Sequence, residues 1–193
     1  TMRSGSTDLI AALQPLIDRV RTDITAIKTK DGRQAWTTEP LTVERLAKHL
    51  NSGPARGVCP IAEGESVTMV ALLDFDSHGG EVGWVEMSAA VERVCDVLEV
   101  AYGAHPILFR SSGGRGVHLY ILWDDAQDCY SVRMWLRGVL EAAGLRDGAG
   151  GLKQQQVEVF PRQNEVPVGG NGNQAILPLA GKSVPLKRDE VIW

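Results

Sequence analysis

Apolar and polar positions alternate along the chain in two different rhythms. From Thr68 to Phe75 the run is nearly continuously apolar, which predicts a strand buried on both faces that carries Asp74 and Asp76 at its C-terminal end. Shorter runs of the same kind predict strands at Arg56 to Ile61, His105 to Phe109, Val117 to Trp123, Val157 to Phe160 and Gln174 to Leu179, the last of the series. Helical spacing appears over residues 8–28, where Leu9, Ile10, Leu13, Leu16, Ile17, Val20, Ile24 and Ile27 recur, with Asp8 as a cap and Pro15 as a candidate break. Residues 42–50 predict a second helix capped by Thr42 and ended by Gly53-Pro54. A third helix is predicted from about Trp84 to Tyr102, after the Gly79-Gly80 turn. A fourth is predicted over 127–143 with Tyr130, Met134, Leu136 and Leu140 facing inward.

Helices and strands therefore alternate, an α/β (α+β) pattern. The glycine-rich stretch from Gly144 to Gly151 is too short for a domain linker, so residues 1–193 read as one domain, with an N-terminal helical segment over 1–52 and a core over 53–193. The final charged run, Lys187-Arg188-Asp189-Glu190, carries no closing signal and reads as a cut from a longer chain. At the other end, Thr1 before Met2 reads as an expression scar.

Composition narrows the class. An apolar share of 44% supplies a proper core. No run of eighteen apolar residues suggests a membrane span, and the first residues lack the hydrophobic centre of a signal peptide. Cys59, Cys95 and Cys129 are odd in number and widely spaced, which predicts free thiols in a reducing cytoplasm rather than disulfides or a zinc knuckle. The net charge of −4 does not suit a protein that coats duplex DNA, but it suits an acidic site that recruits positive charge as metal ions.

Three segments carry the candidate chemistry. Asp74 and Asp76 lie two apart on a strand and share a face, where like charges repel unless a cation lies between them. A strand-end turn with two solvated aspartates is the competing reading. The segment Ser111-Ser112-Gly113-Gly114-Arg115-Gly116-Val117-His118 combines glycines that admit a close ligand with the donors of Arg115 and His118, a set suited to phosphate oxygens. It has no Gly-Lys-Ser/Thr ending and leads into a strand, so it is not a Walker A loop. A hairpin turn explains one or two of its glycines but not its flanking Arg110, Ser111, Ser112 and Arg115. Glu158 sits among Val157, Val159 and Phe160, either as a third metal carboxylate or as the solvent side of an edge strand.

Taken in order, Ala71-Leu72-Leu73-Asp74-Phe75-Asp76, Ser112 to Leu119 and Val157-Glu158-Val159-Phe160 resemble the motifs of the archaeo-eukaryotic primase superfamily, in its primase-polymerase branch. The resemblance spans about residues 57–180 and includes Gly57 to Ile61 and Gly172 to Leu179. It implies an N-terminal α/β portion packed on a sheet lobe like an RNA-recognition fold. It also implies that Asp74, Asp76 and Glu158 bind two Mg²⁺ or Mn²⁺ ions, with Asp74, Asp76, Glu158 and His118 as the catalytic set. Arg110, Ser112, Gly114, Arg115, His118 and Asn173 would bind the nucleotide. The implied activity is template-dependent nucleotidyl transfer in DNA replication, as a primase or polymerase. The implied partners are a single-stranded DNA template and primer, an NTP or dNTP, and a helicase domain or subunit of a larger replication protein, in a cytoplasmic bacterial, phage or plasmid setting. Many relatives carry Ser two residues before the histidine, where this chain has Gly116, so the serine contact falls to Ser112 or Ser111. Arg162, Gln163 and Lys182 are weaker candidates for nucleotide or template contact.

Three other readings stay open on sequence alone. One is a repair polymerase of the same superfamily that joins broken ends. Another is a catalytically silent module that binds single-stranded DNA or an origin. The third is a metal-dependent nuclease, for which the Gly-Arg-Gly-x-His run is poorly suited.

Overall fold

In the computed structural model, residues 4–188 are described apart from Lys30 and Gly32, so Thr1, Met2, Arg3 and the run from Asp189 to Trp193 lie outside the described residues. The N-terminal half contains helices α1 (Ser4–Ile17) and α2 (Val43–Leu50), strands β1 (Thr25–Lys28), β2 (Gln34–Thr37), β3 (Arg56–Val58) and β4 (Val67–Phe75), and helix α3 (Trp84–Tyr102). The remainder contains β5 (Ile107–Arg110), β6 (Val117–Asp128), α4 (Cys129–Ala142), β7 (Arg146–Asp147), β8 (Gln156–Phe160), β9 (Ala175–Ile176) and β10 (Pro185–Leu186). The architecture is mixed α/β, as the alternation predicts.

The chain leaves the helical rhythm earlier than its apolar spacing suggests. Helix α1 stops at Ile17 and contains Pro15 in its last turn without breaking there. Ile24 and Ile27, which fit a helix over 8–28 by spacing, instead flank and enter β1, because β-branched residues suit either pattern and β3 supplies a ladder partner. Strand β1 pairs antiparallel with both β2 and β3, and β9 completes a sheet of order β2-β1-β3-β9. The segment over 1–52 is thus helix and sheet. Helix α2 forms as predicted, with the Thr42 hydroxyl accepting from the Arg45 amide.

A larger sheet has the order β10-β5-β6-β4-β8-β7, antiparallel except for the short β7–β8 pair. Its centre, β4, is the apolar run beginning near Thr68. One face presents Ala71, Leu73 and Phe75 to α3 and α4, where Val91, Val94, Leu98, Leu136 and Leu140 are buried with them. The opposite face presents Val70 and Leu72, with Tyr120 of β6 and Phe160 of β8, to Leu13, Leu16, Leu46 and Leu177. Each fully buried leucine in these layers is worth about 2 kcal/mol of transfer free energy.

Several boundaries differ from the expectation. In α4 the inner stripe is Val132, Leu136, Val139 and Leu140, whereas Tyr130 is exposed and Met134 half-buried. The strand expected over Gln174 to Leu179 shrinks to β9 and is not the last, since β10 adds an edge beside β5. The glycine-rich connector contains β7. All three cysteines are free and buried. Burial pushes the Cys95 and Cys129 thiols up to about 12, which leaves little thiolate for reaction. Arg188 anchors the last described turn on α3 by pairing with Glu92 at 2.7 Å and with Asp96 and Glu99.

Candidate active site

The interlobe face of the large sheet is organised in rows. In the ladders of β4 with β6 and β8, Leu72 stands opposite Tyr120 on one side and Phe160 on the other. These three are buried against the small sheet and its helices. Two residues along every strand, the same face presents the next row: Asp74 stands opposite His118 on β6 and opposite Glu158 on β8. An apolar row that seals the two lobes together thus gives way, in one step of the pleat, to an imidazole and two carboxylates. Asp76 follows just past the end of β4. All four side chains line one cavity of about 740 Å³ that runs between the two sheets.

Each polar side chain in this wall has a partner of its own. His118 is 6% exposed, and its Nε2 lies 3.4 Å from Asp74 Oδ1. The His118 Nδ1 is buried and lacks a hydrogen-bond partner among the described residues. Asp76 Oδ2 lies 3.0 Å from Nδ1 of His78, whose Nε2 faces the Ala149 carbonyl at 2.8 Å. Both His78 nitrogens therefore face acceptors. The Ala149 carbonyl first and the Asp76 carboxylate next raise its pKa. Arg162 Nη1 donates to Glu158 Oε1 at 2.8 Å. Burial is the main reason that the Glu158 carboxyl is held above the ordinary range. The Arg162 charge opposes that shift, while the Asp74 and Asp76 carboxylates add to it.

The resemblance implies a divalent cation here, and the donor chemistry fits one. Three hard carboxylates share a wall, and two of them raise the proton affinity of the third, the mark of crowded negative charge. The closed convergence expected from sequence is not present. Among the described residues no group of three or more His, Cys, Asp or Glu side chains is arranged to hold a metal ion. Arg162 holds Glu158, and His78 holds Asp76.

The glycine-rich segment is the hairpin loop between β5 and β6. Its frame comes from Ser111, whose amide donates to the Gly116 carbonyl at 2.8 Å and whose hydroxyl accepts from the Gly116 amide at 2.9 Å. A Cβ at Gly116 would overlap the Phe75 carbonyl oxygen, so this chain has no room for a serine there. Gly114, at φ +80°, packs against the Lys182 side chain instead of lining the cavity. Arg110 also lies outside the lining. Its guanidinium sits 4.5 Å from the Trp84 ring centroid and donates through Nε to the Gly114 carbonyl at 2.8 Å, so it props the loop. Ser112, Arg115 and Asn173 do line the cavity, and Asn173 is fixed by donating to Gln163 Oε1 at 2.7 Å.

The opposite wall was invisible in the motifs. Lys28, Gln34 and Trp36, from the β1–β2 hairpin, face the carboxylate row across the cavity. Their only sequence signal was the cluster of β-branched residues near Ile24, which the helical spacing concealed. Among the described residues no helix is long and apolar enough to cross a membrane.

The polymerase domain of Mycobacterium tuberculosis Ligase D, solved in complex with DNA, superposes with a TM-score of 0.60 over 97% of this chain and 87% of that one, at 14% sequence identity. The archaeo-eukaryotic primase domain of the cyanophage S-2L primase-polymerase gives a TM-score of 0.46 over 83% of this chain and 91% of that one, at 13% identity. The first likeness establishes a shared fold. Comparison with curated protein sequences gives no match. The family described as "TOTE conflict system, Archaeo-Eukaryotic Primase domain" matches residues 14–189, and the chain belongs to that family. Membership of a primase family places the chain among nucleotidyltransferases at the superfamily level. The match begins at Gln14, so it takes in the last turn of α1 and all of α2.

Proposed function

We propose that this domain extends a nucleic acid strand on a single-stranded template, transferring the nucleotidyl group of an NTP or dNTP to a primer 3′-hydroxyl with release of pyrophosphate. The observation that carries this reading is the row His118–Asp74–Glu158, set by strand register on the wall of the interlobe cavity. Asp74, Asp76 and Glu158 would hold one or two Mg²⁺ or Mn²⁺ ions. When bound, these ions supply Lewis-acid stabilisation of charge at the reacting phosphate. His118, on the cavity wall beside Asp74, offers its imidazole to a phosphate oxygen. Arg115 adds a planar fork of donors and Ser112 a hydroxyl. The cavity runs between the two sheets, and the half-buried Trp36 on its lining would offer an aromatic edge or face to a base. Such transfer needs positioning and electrostatic stabilisation rather than a protein nucleophile.

The family description names a conflict system, and we read the synthesis as belonging to that setting rather than to chromosome replication. The helicase partner implied by the motif resemblance draws no support from the cavity or from the family.

Primer extension tests the reading. Purified protein, a primed single-stranded template, labelled NTPs or dNTPs and Mn²⁺ or Mg²⁺ are expected to give extended products. Asp74→Ala is expected to lose about 10²-fold or more of that rate, as removal of several kcal/mol of charge stabilisation implies. Wild-type protein that extends no primer with either nucleotide class contradicts the proposal.

A further inference from the structure

We infer that Arg162 stands in for a metal ion at Glu158: it holds the carboxylate while no metal is bound, releases it to an arriving divalent cation, and then turns to the nucleotide's phosphate chain. The inference deepens the nucleotidyl-transfer reading and rests on it.

Two features of the site otherwise conflict. The carboxylate row has the chemistry of a cation site, yet its third member is already paired, with Arg162 Nη1 at 2.8 Å from Glu158 Oε1. An exchange of partners reconciles them. The pair suits an exchange. Only one guanidinium nitrogen engages the carboxylate, the Arg162 side chain is 40% exposed, and it stands four residues past Glu158, beyond the end of β8. A single-contact, solvent-screened pair of this kind is weak, and a divalent cation sharing Asp74 and Asp76 outcompetes it. The released guanidinium has a place to go. Arg162 lines the same cavity as Ser112, Arg115 and His118, and its guanidinium carbon sits 5.9 Å from the Phe160 ring centroid, a ring that continues to support it once the carboxylate is gone. Arg162 is therefore a positioning residue that keeps a half-buried carboxylate paired until the metal arrives, and afterwards supplies positive charge where the phosphates lie.

The prediction has opposite signs for two ligands, which a purely structural role does not produce. Mn²⁺ binding without nucleotide is read by the loss of the free-ion electron paramagnetic resonance signal. Binding of ATP and dATP in the presence of Mn²⁺ is read by equilibrium dialysis. Arg162→Ala, and Arg162→Gln as a second variant of similar length, are expected to bind Mn²⁺ alone about two- to fivefold more tightly, the scale of a lost exposed ion pair. The same variants are expected to bind nucleotide about tenfold less tightly, and Arg162→Lys is expected to stay close to wild type for Mn²⁺. In a Glu158→Ala background the Arg162→Ala change is expected to leave Mn²⁺ binding unaltered, because the carboxylate it competes for is gone. Mn²⁺ binding that is unchanged or weaker in both neutral variants overturns the inference, as does unchanged nucleotide binding. Failure of the underlying reading looks different: wild type then binds no Mn²⁺, or Glu158→Ala binds it as well as wild type does.

Discussion

At the scale of single residues, the site is held by steric demands as much as by charge. Gly116 illustrates this. Its backbone conformation is ordinary, yet any Cβ there meets the Phe75 carbonyl, which belongs to the central strand and cannot swing away. Gly116→Ser is expected to cost about 2 kcal/mol of stability through overpacking. Chemical denaturation checks this, and a variant as stable as wild type contradicts the steric argument. The residues legible in the sequence were those whose neighbours along the chain betray them. Asp74, Asp76, His118 and Glu158 each interrupt or end an apolar strand, and their occurrence together in motif order marked them, since alternation alone left Glu158 equally open as the solvent side of an edge strand. Arg110 and Gly114 were read from the same loop but turn away from the cavity, because the hairpin closes on itself through Ser111 and Arg110 stacks on Trp84 of α3. His78 and Arg162 gave no comparable signal. What makes them matter is the carboxylate each one meets, His78 at Asp76 and Arg162 at Glu158, and that is set by tertiary placement.

At the scale of elements, helix α2 is tied to both sheets' seam by one buried imidazole. The Arg56 amide donates to His49 Nδ1 at 2.9 Å, so Nε2 carries the proton and donates to the Pro178 carbonyl at 2.8 Å. Burial lowers the His49 pKa below its ordinary value. The fold therefore favours the neutral ring, and the stability this contributes is fully present above about pH 6.5 and is lost as pH falls through the depressed folded value. Denaturation measured across that range is expected to show wild type losing stability on acidification relative to His49→Leu. The variant itself starts about 2 kcal/mol less stable at neutral pH, since it strands a buried amide and a carbonyl. Parallel pH profiles for the two proteins contradict the assignment. Elements with a strong single rhythm, α2, α3 and β4, were legible to within a residue or two. Strands β1 and β2 were not, because Ile24 and Ile27 satisfy helical spacing and only pairing with β3 and with each other decides for strand.

At the scale of the molecule, two sheets share one apolar seam, and the cavity opens where that seam ends. The large sheet's alternation was readable strand by strand. The strand order β10-β5-β6-β4-β8-β7 and the facing hairpin with Lys28 and Trp36 were not, because long-range pairing leaves no trace in local spacing. The same arrangement lines one cleft with three carboxylates, Lys28, Arg115, Arg162 and Trp36 within a chain of net charge −4, a set suited to metal, phosphate and base. The most direct test is a crystal structure of the protein grown with ATP and Mn²⁺. The expected result is Mn²⁺ bonded to Asp74 and Glu158, a phosphate oxygen within hydrogen-bond reach of His118, and Arg162 parted from Glu158. A nucleotide bound away from an unaltered His118–Asp74–Glu158 row would contradict it.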